Sequence, residues 1–320
     1  MAREIAPGLP LVPTPWDVRG EGWIYPLYTP FSPDPIPLDP AAYSPFERGT
    51  SFDLSQRYHG GVGMVMIVRY QHGPAGPYDE LLYIPGLFSH EDAPTEYFLS
   101  NTRIYVSTDV SVANGRKEWG IPKHRANFSF EPVAGSPSKT HLKVSHPSSP
   151  STPFFSAILC DSKVTPFAIP VSTKWLEWKV AKWLINGYEP TLIQPPLPSA
   201  LLKSTRGEGA DASERGLEYL QETQQTLEAI VGTDGQTLAF TPVSSGRSRL
   251  SYLESARPPR TEGSGDRDQA DEWTGFGDGV GFPKFEVTKA GILGGRGVHL
   301  VSFEMHIPAQ VRVEIGKKGK

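Results

Sequence analysis

The pattern of apolar and polar positions predicts β-strands along most of the chain. Residues 62–70, VGMVMIVRY, are apolar on both faces, which is typical of a strand buried on both sides. A turn rich in proline and glycine follows, and residues 78–88, YDELLYIPGLF, predict the partner strand of a hairpin. Residues 103–112, RIYVSTDVSV, alternate between apolar and polar positions and predict a further strand. The coarse prediction is an antiparallel β domain with few helices.

Two segments interrupt this pattern within what we expect to be a single domain, residues 1–320. Residues 203–231 begin with a polar, glycine-containing stretch and continue with apolar side chains at helical spacing. We expect a helical insertion there, serving either as a tolerated surface insertion or as a lid or subunit contact. Residues 256–284 are rich in Gly, Asp and Arg and predict a long mobile loop.

Composition and charge exclude several classes of protein. The 31 basic and 35 acidic residues are balanced, which argues against a nucleic-acid partner, because such proteins carry a clustered basic excess. No apolar run approaches the roughly 18 residues of a transmembrane helix, and the N-terminus lacks the pattern of a signal peptide. Cys160 is the only cysteine, so no intramolecular disulfide can form. We therefore expect a cytoplasmic protein without a membrane partner.

The most informative chemistry lies in residues 114–128, NGRKEWGIPKHRANF, where Lys123 directly follows an apolar Trp-Gly-Ile-Pro stretch. The pKa of a free lysine is about 10.4, so roughly one amine in a few thousand is uncharged at neutral pH. Burial against apolar surface and nearby positive charge both lower the pKa of a lysine. The candidate sources of that charge are Arg116, Lys117, His124 and Arg125. The pattern therefore predicts a lowered pKa and a nucleophilic amine at Lys123.

A neutral lysine amine condenses with a ketone to give an iminium, whose nitrogen withdraws electrons from the neighbouring carbons. A carboxylate β to the original carbonyl can then leave as carbon dioxide. The same intermediate also supports aldol, retro-aldol and dehydration reactions, so a lysine alone does not choose among them. None of these reactions needs a cofactor, and we expect none. No group of His and Cys residues has the spacing of a metal site, so we expect no metal either.

The segment GRKEWGIPKH resembles the signature of the acetoacetate decarboxylase family, roughly Gly-Arg-Glu-x-Trp-Gly-Phe-Pro-Lys-Lys. The positions that match in register are Gly115, Arg116, Trp119, Gly120, Pro122 and Lys123. The resemblance implies that Lys123 is the Schiff-base lysine and that the fold is a closed antiparallel β-barrel with a few peripheral helices. Upstream, GPYDELLY resembles the family's Gly-x-Tyr-x-Glu segment, which implies that Glu80 orients substrate or shuttles a proton.

The sequence also departs from the family pattern. His124 stands where the family often has a second lysine, and Ile121 replaces the usual aromatic residue before the proline. The strand at 62–70 lacks the second glutamate of the family's decarboxylases. Arg19 lies near the family's N-terminal active-site arginine but is off register. The full set of candidate substrate-binding residues is Trp119, Ile121, Tyr105, His124 and Arg19.

Three hypotheses about function follow. The first is a Schiff-base lyase of the decarboxylase type that acts on a β-keto acid or a related small carbonyl compound. The second is an aldolase-dehydratase, cyclase or isomerase that acts on a larger ketone, as in secondary metabolism. The third is a pocket that binds a small lipophilic ligand without catalysis. The sequence leaves the oligomeric state open, and a homo-oligomer is compatible with it.

Overall fold

The protein was analysed as a computed structural model. The residues that this structure describes are 4–6, 9–162, 167–174, 191–197, 233, 235–256, 276–284 and 296–313. The helical insertion predicted at 203–231 lies outside them, and so does most of the loop predicted at 256–284. Within the described ranges the protein is mainly β, with eighteen strands and one α-helix. None of the helices formed by these residues is long and apolar enough to cross a membrane.

The elements of the first part of the chain are β1 (Glu4–Ala6), β2 (Leu9–Pro10), β3 (Trp16–Thr29), β4 (Tyr58–His72), β5 (Tyr78–Ile84), β6 (Leu87–His90), β7 (Ala93–Leu99), β8 (Arg103–Val106), α1 (Asp109–Trp119) and β9 (Lys123–Arg125). The later strands are β10 (Asn127–Val133), β11 (Ser136–Ser145), β12 (Pro153–Asp161), β13 (Ile169–Ser172), β14 (Leu192–Gln194), β15 (Leu238–Phe240), β16 (Val243–Ser255), β17 (Arg296–Ile307) and β18 (Val311–Arg312). Short 3₁₀ helices lie at Pro40–Ala42 and Ser55–Arg57.

The main sheet has the strand order β10-β11-β12-β16-β17-β3-β4-β5-β8-β9. Its neighbours pair antiparallel except β8 and β9, which pair parallel. Parallel neighbours need a crossover connection, and α1 supplies it. Only Ala126 separates β9 from β10 in the chain, yet no pairing joins these two strands among the described residues. The sheet is therefore mixed rather than purely antiparallel, and the predicted closure into a barrel is not confirmed.

A second set of strands branches from the start of β4. The first residues of β4 pair with β6, and the path continues through β7, β14, β15 and β18, with a parallel contact between β7 and β14. From Gly61 onward, β4 pairs with β3 instead. Gly60 and Gly61 have φ angles of 76° and 88° at this change of partner, a backbone region that favours glycine. The predicted hairpin is confirmed, because β4 and β5 pair antiparallel from Met64 to Tyr70.

The strand predicted at 103–112 is wrong beyond Val106, because the chain turns into α1 there. Thr108 begins the helix as its N-cap, and its side chain accepts a hydrogen bond from the Ser111 amide at 3.4 Å. Gly120 ends the helix with a left-handed φ of 63°. The alternating valines predicted a strand. The capping residues Thr108 and Gly120, which mark the ends of the helix, were not recognised.

Apolar side chains pack on both sides of the main sheet in two cores. The first core includes Trp23, Tyr25, Ile67, Leu81, Tyr83, Tyr105, Leu142 and Phe155. The second core includes Trp16, Val68, Tyr70, Tyr78, Ile104, Val106, Val112 and Trp119. Phe276 and Phe282, near the end of the segment predicted as a mobile loop, are buried in the first core.

Candidate active site

The β8–α1–β9 crossover places Lys123 inside the second core. Lys123 pairs in register with Ile104 of β8, so both side chains lie on the same side of the sheet. The lysine stem then runs along α1 beside Gly115, where an added Cβ would lie 2.4 Å from the Lys123 Cδ. Only glycine leaves room for this approach, which explains in physical terms why the motif has a glycine eight positions before the lysine.

The Lys123 amine is held by a small polar group within this core. Its Nζ donates hydrogen bonds to Glu80 Oε2 at 2.8 Å and to Ser111 Oγ at 3.2 Å. The centre of the Tyr78 ring lies 5.0 Å from the same nitrogen. Tyr70 donates its hydroxyl to Glu80 Oε1 at 3.4 Å. Lys123 and Glu80 are each only 4% exposed, so their ion pair lies almost entirely out of water.

The predicted lowering of the Lys123 pKa is wrong for this arrangement. Burial favours the neutral amine, but the Glu80 carboxylate and the Tyr78 side chain outweigh it and raise the pKa of Lys123 above its ordinary value. Burial is also the main cause that raises the pKa values of Tyr70 and Tyr78, so both hydroxyls keep their protons at neutral pH. The resting site therefore holds an ammonium, a carboxylate and protonated hydroxyls.

Three of the four side chains that were expected to lower this pKa, Arg116, His124 and Arg125, are paired with carboxylates. Glu47 accepts a hydrogen bond from Arg116 Nη1 at 3.0 Å and another from His124 Nε2 at 2.8 Å. Arg125 forms an ion pair with Asp109, with 3.3 Å between Nε and Oδ1. Opposite charges at these distances cancel most of the field that each cation would exert on Lys123.

Two of the predicted pocket residues pack at the C-terminal end of α1. Trp119 is buried, meets the Trp16 ring edge-on at 4.5 Å and donates its Nε1–H to the Pro308 carbonyl at 3.3 Å. Ile121 is also buried in the second core, the core that surrounds Lys123. Both residues therefore contribute apolar surroundings to this side of the sheet.

The other three predicted residues lie elsewhere. Tyr105 and His124 are paired in register and belong to the opposite side of the sheet from Lys123. The Tyr105 hydroxyl donates to the Gly281 carbonyl at 2.6 Å. Arg19 lies on the surface, where its side chain is 66% exposed and pairs with Glu304 at 3.1 Å. The structure thus brings Glu80 to Lys123 but brings none of these three into contact with the amine.

Several residues of the site were missed by the sequence reading. Tyr78 lies two positions before Glu80, and the period-two rule for strands could have placed both on one face. Tyr70 pairs with Tyr78 across the hairpin, which a correct register would have shown. Ser111 required the helix to be recognised. Glu47 lies in a loop far from its partners in the chain, and no local pattern marks it.

A cavity of about 460 Å³ borders the site. Its lining residues are Glu21, Arg69, Tyr70, Gln71, Pro77, Tyr78, Asp79 and Ser107. Tyr70 and Tyr78 therefore form a wall shared by the cavity and the polar group around Lys123. The volume is within the range of small-molecule sites. No group of three or more His, Cys, Asp or Glu side chains that could hold a metal is found in the part of the chain that the structure describes.

Comparisons with known proteins give partial likenesses. No family model matches the chain. The protein NEOXANTHIN-DEFICIENT 1 of Oryza sativa subsp. japonica is 37% identical over 68 residues, a match that covers 21% of this chain and only 22% of that protein.

Solved structures give matches that run over nearly the whole chain at low identity. The acetoacetate decarboxylase of Legionella pneumophila is 12% identical with a TM-score of 0.47, over 94% of this chain and 88% of that chain. The enduracididine biosynthesis enzyme MppR, complexed with pyruvate, is 13% identical with a TM-score of 0.43, over 95% and 92%. An acetoacetate decarboxylase-like enzyme from Sphingomonas wittichii RW1 is 10% identical with a TM-score of 0.43, over 94% and 93%.

Proposed function

We propose that the protein is an enzyme in which Lys123 forms a Schiff base with a small carbonyl substrate. The observation that carries this proposal is the buried pair of Lys123 and Glu80, an amine and a carboxylate 2.8 Å apart inside an apolar core. The resemblance of GRKEWGIPKH to the acetoacetate decarboxylase signature supports the same role for the lysine.

The pair supplies the first proton transfer of the reaction. Glu80 accepts a proton from the Lys123 ammonium, which leaves a neutral amine and a neutral acid. A substrate that fills the site shields the Lys123–Glu80 pair further from water. This shielding favours the uncharged pair over the ion pair. The amine then attacks the carbonyl carbon, and the carbonyl oxygen takes the proton back from Glu80. The nitrogen of the resulting carbinolamine loses its extra proton to Glu80.

Loss of water completes the Schiff base. The carbinolamine hydroxyl accepts the proton from Glu80 and leaves as water, and the nitrogen lone pair forms the C=N bond of the iminium. Glu80 is then a carboxylate again and balances the positive iminium. For a β-keto acid, the bond to the carboxylate breaks next and its electrons move to the nitrogen, which gives carbon dioxide and an enamine. A tyrosine hydroxyl, which recovers its proton from water, then protonates the enamine carbon, and hydrolysis of the resulting iminium releases the product and the free Lys123 amine.

A second reaction type is favoured by the charges around the amine. Apart from Glu80, the polar partners described at Lys123 and Glu80 are hydroxyls, from Ser111, Tyr70 and Tyr78. A substrate carboxylate would add a negative charge beside Glu80, whereas an uncharged ketone would leave the iminium balanced by Glu80 alone. We therefore propose aldol, dehydration, cyclisation or isomerisation of an uncharged ketone as the alternative to decarboxylation.

Borohydride reduction tests the proposal directly. Incubation with acetoacetate, pyruvate or cyclohexanone, followed by borohydride, should add the mass of the reduced imine to the peptide that contains Lys123. The Lys123→Arg variant is the control, because a guanidinium stays protonated and forms no imine. Carbon dioxide released from acetoacetate would favour decarboxylation, and adducts formed only with cyclohexanone would favour the alternative. An unmodified Lys123 with every ketone would contradict the proposal and favour a pocket without catalysis.

A further inference from the structure

Glu47 is the most completely enclosed charged residue near the candidate site. It is fully buried, and its two carboxylate oxygens accept one hydrogen bond each from Arg116 and His124. Burial alone would raise the pKa of Glu47, but His124 and Arg116 lower it well below its usual range. Burial lowers the pKa of His124. At neutral pH, Arg116 therefore supplies the positive charge and Glu47 the negative charge of this cluster.

The cluster is joined to Lys123 by covalent and hydrogen bonds. Besides its bond to Glu47, Arg116 Nη1 donates to the Lys123 carbonyl at 3.4 Å. Arg116 directly follows Gly115, which packs against the Lys123 stem, and His124 directly follows Lys123. Arg116 is therefore a cation bonded directly to the Lys123 backbone, and charges interact over longer distances in a protein interior than in water.

We propose that Glu47 is a positioning residue that cancels the charge of Arg116 and so strengthens the hold of Lys123 on its proton. This inference rests on the proposed role of Lys123 as the nucleophile and adds a residue that touches neither substrate nor amine. Without the Glu47 carboxylate, the buried Arg116 would repel the ammonium and make its proton easier to lose. The titratable and charged groups that face Lys123 or this cluster are Glu80, Tyr70, Tyr78, Glu47, Arg116, His124 and Arg103.

Three variants separate this effect from a general loss of structure. Glu47→Gln removes the negative charge and should lower the apparent pKa of Lys123 by about one unit. Arg116→Gln removes the positive charge and should raise it by a similar amount. The double variant, Glu47→Gln with Arg116→Gln, is neutral at these positions and should return close to the parent value. Glu131→Gln, at an exposed ion pair with Lys143, is the matched control and should leave the value unchanged.

The readout is the rate at which an uncharged acylating reagent modifies Lys123 across the alkaline pH range, measured by peptide mass. Thermal unfolding of each variant shows whether it is folded. Shifts of opposite sign in the single variants, cancelled in the double variant, would support the proposal. Unchanged values, or shifts of the same sign in both single variants, would overturn it.

The experiment remains decisive if a variant fails to fold. If Glu47→Gln is unfolded, Arg116→Gln compared with the neutral double variant still reports the sign of the Glu47 effect, and no difference between them would overturn the proposal. Failure of the proposed function would look different. In that case borohydride would trap no ketone at Lys123, while acylation would still show whether Glu47 sets the pKa.

Discussion

Lys123 and His124 are neighbours on β9, but their side chains lie on opposite sides of the sheet and meet different carboxylates. Each oxygen of Glu47 accepts a hydrogen bond of 3.0 Å or less from a cation or an imidazole, and Glu47 is 0% exposed. Glu80 has one short bond, to Lys123, and one long bond of 3.4 Å, to Tyr70. Its site also borders the 460 Å³ cavity, which the Glu47 cluster does not line.

The difference separates a pair that can exchange a proton from a cluster that fixes its charges. Glu80 keeps a loosely occupied oxygen, so it can give and take a proton without breaking several strong bonds. Glu47 has both oxygens filled and would lose two charge-assisted bonds if it were protonated. Glutamate therefore serves two purposes beside neighbouring residues of β9, depending on how many donors surround its carboxylate.

The largest effect is expected from Lys123 itself. Lys123→Ala should abolish imine formation, because no other described amine lies against Glu80 and the cavity wall. Lys123→Arg should fail equally, since its guanidinium cannot attack a carbonyl. Mass analysis after borohydride and a turnover assay on the accepted ketone measure both variants, and circular dichroism checks their fold. Full turnover by either folded variant would contradict the proposed function.

Loss of the Glu80 charge should have the next largest effect. Glu80→Gln removes the proton acceptor, and imine formation should slow by about 10²- to 10³-fold. It also removes the carboxylate that raises the pKa of Lys123, so the pH profile of Lys123 acylation should move to lower pH. Glu254→Gln, which removes a carboxylate paired with Lys139 and does not line the cavity, is the matched control. An unchanged acylation profile in Glu80→Gln would show that the ion pair does not hold the proton.

A single methyl group added on α1 should disturb the Lys123–Glu80 pair and leave the Glu47 cluster unchanged. Gly115→Ala improves intrinsic helix propensity by roughly 1 kcal/mol, but its Cβ would lie 2.4 Å from the Lys123 Cδ. We expect the clash to win, with a net loss of about 1–3 kcal/mol in the free energy of unfolding and slower trapping of ketones. Urea unfolding and borohydride trapping measure the two effects. A variant with parent-like stability and trapping would show that the lysine stem has another route.

The two charge clusters should weaken at opposite ends of the pH scale. The pKa of Lys123 is raised in the folded protein, so its contribution to stability is present below the ordinary lysine value of 10.5 and is lost as pH rises through the folded value. The pKa of Glu47 is lowered, so its contribution is present above the ordinary value of 4.5 and is lost as pH falls.

Urea unfolding at a series of pH values measures this effect on the free energy of unfolding, which is the smallest of those predicted. Glu47→Gln should be less stable than the parent near neutrality and should lose less stability on acidification. Lys123→Met should flatten the alkaline side. An acid side in Glu47→Gln or an alkaline side in Lys123→Met that keeps the slope of the parent would contradict this prediction.

The sequence predicted those features that depend on local patterns. The β4–β5 hairpin follows from turn residues between two apolar runs, and the family motif singled out Lys123 and Glu80, which the structure places in contact. The class of the fold, mainly β, also follows from these patterns. Each of these signals lies within a short stretch of chain, where propensity and side-chain periodicity act.

The features that sequence reading missed depend on distant pairing. Glu47 lies 69 positions from Arg116 and 77 from His124, so nothing near it in the chain indicates its partners. Tyr105 was predicted to bind substrate, but the parallel register of β8 and β9 puts it on the opposite side of the sheet from Lys123. Arg19 was chosen by its position in the chain, and its exposed pairing with Glu304 is set by β17, which is nearly 300 residues away.

The burial of Lys123 limits unwanted chemical modification of its amine. A free, uncharged lysine amine reacts with sugars, aldehydes and carbon dioxide wherever it meets them. An amine that is 4% exposed and stored as an ammonium against Glu80 is protected from such damage between turnovers. A molecule that reaches the amine past Tyr70 and Tyr78 and displaces this pairing would meet a neutral nitrogen, so in the proposed reaction the ion pair keeps Lys123 unreactive until a substrate binds.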